Sequence, residues 1–119
     1  MPPTETRLKI KRDGSIIEVG FRDRNILDEA NIQASGEQIG AIIEAEASPK
    51  LLISFANVEH LSSAALGQLI TINNKVRAKQ GQLRLANIDP QIKEVFQITR
   101  LNKLFQIHDS TSDALKSFA

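Results

Sequence analysis

Two adjacent hydroxyl side chains, Ser62 and Ser63, stand between the apolar run Leu51 to Phe55 and a stretch of small and aliphatic residues that starts at Ala64. Hydroxyls at a strand–loop–helix junction suit two kinds of chemistry. A serine at a helix start accepts hydrogen bonds from free backbone N–H groups. Esterified with phosphate, it would place about −1.5 to −2 charges where the helix dipole and unpaired N–H groups favour an anion. Nucleophilic catalysis would need a base and an orienting acid within reach. Ser63, His60 and Asp89 have suitable types, but nothing in their spacing supports a triad. The two histidines, His60 and His108, lack partners at metal-ligand spacing, so no metal site is expected. Asp89 precedes Pro90 and reads as a helix cap, and Arg100 and Lys103 read as a solvated basic edge. No catalytic residue and no cofactor is expected.

The elements that must hold the serine pair follow from periodicity. Arg7 to Lys11 alternates as a half-exposed strand, Asp13-Gly14 is a two-residue hairpin turn, and Ile16 to Val19 returns. Asp23 to Ile32 reads as a loop with one turn of structure. Ser35 and Gln38 have capping-box spacing ahead of the helical stripe Ile39, Ile42, Ile43 and Ala47, which Pro49 ends. Leu51 to Phe55 reads as a strand covered on both faces. A second helix over about Ala64 to Lys79 buries Ala65, Leu69, Ile72 and Val76, with Gly81 placed to end it in a left-handed conformation. A strand at Leu83 to Asn87 follows, then a helix with Ile92, Val95 and Phe96 on its apolar face. A strand at Leu104 to Ile107 precedes a last helix that starts near Ser110 and Asp113 and ends at Phe118. One core is expected from Leu52, Ile53, Phe55, Leu69, Ile72, Val76, Leu83, Leu85, Val95 and Phe96.

Composition narrows the function classes. Hydrophobic content of 41% with 24% charged residues is that of a globular protein, and 119 residues suffice for one core, so a single domain over 1–119 is expected. A net charge of +1 and 4% aromatics, all phenylalanine, argue against nucleic acid as the main partner. No apolar run approaches the roughly 20 residues needed to span a bilayer. The start lacks the basic and apolar regions of a signal peptide, so a cytoplasmic location with no membrane partner is expected. With no cysteine there is neither a disulfide nor a thiolate.

The segment Leu51 to Gly67 resembles the signature of STAS domains, the family of bacterial anti-sigma-factor antagonists. That signature usually reads Asp-Ser-Ser/Thr-Gly-Leu-Gly. In ungapped alignment Ser62 stands at the aspartate and Ser63 at the first serine, Ala64 at the usual phosphoacceptor and Ala65 at the first glycine, while Leu66 and Gly67 match. Leu85 to Pro90, Thr99 to Phe105 and Leu27-Asp28 are similar to further stretches of the family, so the resemblance spans nearly the whole chain. It implies an α/β fold, a small mixed sheet with helices packed mainly on one face. It also implies a regulatory binding domain of a partner-switching pathway, whose partner is an anti-sigma factor or serine kinase-like protein. On that reading phosphorylation falls on Ser63, with Ser62 second. The partner-binding set is Leu61, Ser62, Ser63, Ala64, Ala65, Gln68 and Lys75, with Asn74 and Lys79 completing the rim. The alternative is a constitutive scaffold or ligand-sensing subunit of a stressosome-like assembly, without a phosphorylation switch. Oligomeric state is left open.

Overall fold

Gly14 and Ser15, not Asp13 and Gly14, make the first chain reversal of the computed structural model, which describes residues 8–22, 25–26 and 29–118. Asp13 faces Ile16 as the last pair of strands β1 (Leu8–Asp13) and β2 (Ile16–Phe21), so the two residues between them form the loop. Gly14 has φ +64° and Ser15 does not share it, the pattern of a type II′ turn. Strand β4 (Lys50–Ser54) then pairs with β2, β6 (Gln82–Ala86) with β4, and β7 (Gln106–His108) with β6, all in parallel. The five-stranded order is β1-β2-β4-β6-β7. A separate pair joins β3 (Asn25–Ile26) to β5 (His60–Leu61).

The helices that link the parallel strands bury one face of the sheet. They are α1 (Glu29–Glu44), α2 (Ser63–Ala78) and α3 (Pro90–Ile98), and a short turn of 3-10 helix (Leu101–Lys103) precedes β7. Period-2 alternation turns Ile17, Val19, Leu51, Ile53, Leu83 and Leu85 towards Ile39, Ile43, Leu69, Ile72, Val76, Ile92 and Phe96. On the opposite face, helix α4 (Thr111–Lys116) covers a smaller cluster of Leu52 and Ala86 through Ala114, with Ile16, Leu115 and Phe118 packed against it. The mixed sheet with helices mainly on one face is therefore as expected. Leu52 belongs to the smaller cluster, because it lies between two inward-facing residues of β4. Val95 is a correction: it is 40% exposed, while α3 buries Ile92 and Phe96, one residue and about 100° away from it in the case of Phe96.

Other boundaries move for physical reasons. Helix α1 begins at Glu29, so part of the expected loop is helical and Ser35 and Gln38 lie inside the helix rather than at its cap. Ile32 is buried and extends the stripe of Ile39 and Ile43 backwards by two turns, whereas Ala47 lies beyond the helix end and is exposed. No basic residue occupies the last turn of α1. Lys79, the C-cap of α2, supplies the charge instead, its Nζ donating to the Glu44 carbonyl at 2.9 Å, where a helix end favours a cation. The left-handed residue after α2 is Gln80 (φ 58°), not Gly81. Gly81 is required by crowding, since a Cβ there would overlap the Pro49 carbonyl oxygen, which accepts from the Gln82 N–H at 2.7 Å. Helix α4 ends before Phe118, whose ring lies under the Arg84 guanidinium (5.0 Å). Burial lowers the pKa of Arg84, and Arg84 Nε donates to Ser117 Oγ at 2.9 Å. Asn87, at φ 60°, donates from Nδ2 to Ser54 Oγ (2.9 Å) and Thr111 Oγ1 (2.8 Å), tying the ends of β4 and β6 to the start of α4.

Candidate docking surface around Ser62 and Ser63

The serine turn is held from both sides. After β4 the Phe55 N–H donates to the Ala86 carbonyl at 3.0 Å, and the Val58 N–H donates back to the Phe55 carbonyl at 3.0 Å, with Val58 buried. His60 and Leu61 then lie beside Asn25 and Ile26 in the small parallel pair. Two-residue strands carry no period, so no sequence signal marks this brace. Ser62 follows as the N-cap of α2: extended backbone (φ −85°, ψ 170°) and Oγ accepting from the Ala65 N–H at 3.2 Å. Replacing Ser62 by alanine should cost about 0.5–2 kcal/mol of stability. A denaturant titration checks this, and an unchanged midpoint would mean that the cap contributes nothing.

Ser63 is the first residue of this 16-residue helix and is exposed. Its hydroxyl has no hydrogen-bond partner among the described residues, unlike that of Ser62. The two serines therefore differ physically: one hydroxyl oxygen is engaged in capping and half-buried, the other points free at a helix start. The first turn holds no acidic residue to repel an added anion. Ala64 is exposed beside it, and Leu61 is half-buried.

The rest of the expected set divides. Ala65 is 5% exposed and packs in the core, so its side chain is not on the surface. Gln68 and Lys75 lean onto α1: the Gln68 amide lies over Gly36, and Lys75 Nζ stands 3.0 Å from where a Cβ of Gly40 would be. Lys79 is committed to the Glu44 carbonyl. The outward crest of α2 is instead Ser63, Gly67, Thr71 and Asn74, which are all exposed, small or uncharged. Gly67 and Thr71 were legible as crest positions by rotating the apolar stripe through half a turn. On the side away from α1, Leu61, Leu66, Ile92 and Val95 line an open groove of ≈ 450 Å³ together with Glu59, His60 and Gln91.

Asp89 serves α3 as its N-cap, accepting from the Gln91 N–H at 2.9 Å. Asp28 lies outside the described residues. His60 is exposed, and His108 is half-buried on β7 with Nε2 unpaired. Among the described residues no three His, Asp or Glu side chains stand close enough to share a cation. Arg100 and Lys103 are exposed at the end of α3, with φ 65° at Arg100. No helix among the described residues is long and apolar enough to cross a membrane. The arrangement is an exposed, uncharged crest on α2 with the Ser63 hydroxyl free at a positively polarised helix end.

Comparison with known proteins places this geometry in a family. Residues 8–114 match the STAS domain. The Bordetella bronchiseptica protein BtrV, whose given name is that of an anti-sigma factor antagonist, is 26% identical over 95 residues, covering 80% of this chain and 81% of BtrV. The structure of an anti-sigma-factor antagonist (STAS) domain protein from Planctomyces limnophilus superposes with a TM-score of 0.81 at 17% identity, over 92% of this chain and 96% of that one. The Bacillus cell fate determinant SpoIIAA in its phosphorylated form has a TM-score of 0.71 at 15% identity, over 92% and 96% of the two chains. At these identities the two structures speak to the fold alone.

Proposed function

The chain belongs to the STAS domain family, and from that premise we propose that it is an anti-sigma-factor antagonist-like binding domain in a partner-switching pathway that controls transcription. The carrying observation is the exposed, unpartnered hydroxyl of Ser63 at the start of α2. In this reading the domain acts by binding and not by catalysis, in the cytoplasm. Its partner is an anti-sigma factor of the serine kinase type. The unmodified domain presents Leu61, Ser62, Ser63, Ala64 and the α2 crest as a nearly uncharged surface. Phosphate on Ser63 adds charge that a desolvated contact cannot accommodate without a pairing cation, and the partner is released.

The name of BtrV supports the antagonist role, and SpoIIAA, which shares this fold, is a protein that carries phosphate in one of its structures. The second reading, a constitutive scaffold or ligand-sensing subunit, is favoured by Ala64, an exposed methyl group at the usual phosphoacceptor position. The deciding experiment incubates the domain with its cognate anti-sigma kinase and ATP, maps the site by peptide fragmentation and measures the Kd before and after. Phosphate on Ser63 with at least a tenfold loss of affinity, about 1.4 kcal/mol, is the expected result. Stoichiometric binding with neither serine phosphorylated would leave the scaffold reading standing.

A further inference from the structure

Between α1 and α2, next to the serine turn, lies a narrow apolar cleft that opens to solvent. Its walls include Ile39, Phe55, Leu61, Leu69 and Ile72, together with Phe21, whose ring stacks on Phe55 at 5.4 Å between centroids. Among the described residues no charged side chain lines it. Two side chains bring hydrogen-bonding atoms, Ser35 from α1 and Gln68 from α2, and neither has a hydrogen-bond partner among the described residues. Gly36 makes the space: a Cβ there would overlap Gln68 Oε1 and stand 2.8 Å from Gln68 Cδ. The Gln68 amide thus lies across the cleft as a plug and leaves little free room beneath it. Apolar space of this kind holds water poorly and accepts small apolar molecules. Concave apolar walls with a few placed polar groups are the general form of a small-molecule site.

We propose that this cleft binds a small uncharged molecule with an aliphatic or aromatic body and one polar end. The body packs on Phe55, Leu69 and Ile72, and the polar end satisfies Ser35 and the displaced Gln68 amide. An ion is disfavoured, because it would be desolvated with no opposite charge among the described lining residues to meet it. Entry swings Gln68 outwards, since plug and occupant compete for one space. Leu61 and Ala65 line the same cleft and flank the serine pair, so an occupant touches the docking turn directly. The site does not depend on partner switching, and its test reads binding to the domain alone.

The test titrates 1-hexanol into the intact chain and follows isoleucine and leucine methyl resonances by NMR, with thermal unfolding in parallel. Expected are saturable one-to-one shifts centred on Ile39, Leu61, Leu69 and Ile72, and a rise in Tm as the occupied native state is favoured. Gln68→Ala removes the plug and should tighten binding by about fivefold, while Ser35→Leu fills the half-buried rim and should weaken it by about tenfold or more. Shifts that grow without saturation, shifts centred on the exposed Ile98, or a Gln68→Ala variant with unchanged affinity would overturn the site. If Ser35→Leu fails to fold, the Gln68→Ala result decides alone.

Discussion

Replacing Phe55 by alanine should destabilise the domain by about 3–5 kcal/mol, the range for a buried phenylalanine cut back to its Cβ. The side chain is 1% exposed, stacks on Phe21, and sits where the chain leaves the central strand for the serine turn. Its backbone N–H is held by Ala86, so the surroundings cannot easily collapse into the space left behind. A loss of that size is a large fraction of the roughly 5–15 kcal/mol that holds a domain together. Urea or guanidinium unfolding measures it directly. A midpoint within error of the parent would remove Phe55 from the core, and with it the account of how the turn is supported.

Two glycine substitutions should move stability in opposite directions. Gly81→Ala forces a methyl group onto the Pro49 backbone, which is itself fixed by its bond to Gln82, and should cost about 1–3 kcal/mol or more as an overpacking defect. Gly67→Ala, on the exposed crest of α2 with nothing within 4 Å of the new Cβ, should stabilise the helix by about 0.5–1 kcal/mol. Thermal or denaturant unfolding of the two variants side by side tests the pair. Equal effects would mean that crowding at Pro49 is relieved by a backbone shift. Since Gly67 lies on the proposed docking crest, the same stabilised variant separates fold from binding: higher stability with a weaker partner complex would map the crest as interface.

Which parts of this architecture the sequence disclosed depends on how strongly each was patterned. Val76 and Leu69 on α2, Leu51 and Ile53 on β4, and the Asp89-Pro90 cap of α3 carry period or cap chemistry strong enough to read alone. The α1 start was hidden because Ser35 and Gln38 mimic a capping box inside a helix whose stripe begins earlier, at Ile32. Propensity points to Gly81 as the left-handed residue after α2, whereas Gln80 adopts that conformation and the glycine serves a close approach that only the folded state creates. At the candidate site, the serine pair and its helix were legible. The lean of Gln68 and Lys75 onto α1 was not, because it depends on Gly36 and Gly40, some thirty residues away in sequence, admitting α2 close to α1. Val95 failed for a simpler reason: in a nine-residue helix an apolar residue at the margin of the stripe can stay outside the core.

The partnering of β2 has a consequence for how the chain is made. On a ribosome the β1–β2 hairpin can close within microseconds once its two-residue turn has emerged. A lone hairpin is barely stable in water. Ile17 and Val19 have their neighbouring strand in β4, which is synthesised only after all of α1. At about 5–20 residues per second, the nascent hairpin waits several seconds with its apolar face unburied. During synthesis, this interval rather than the finished fold is when the first strands are most open to wrong partners.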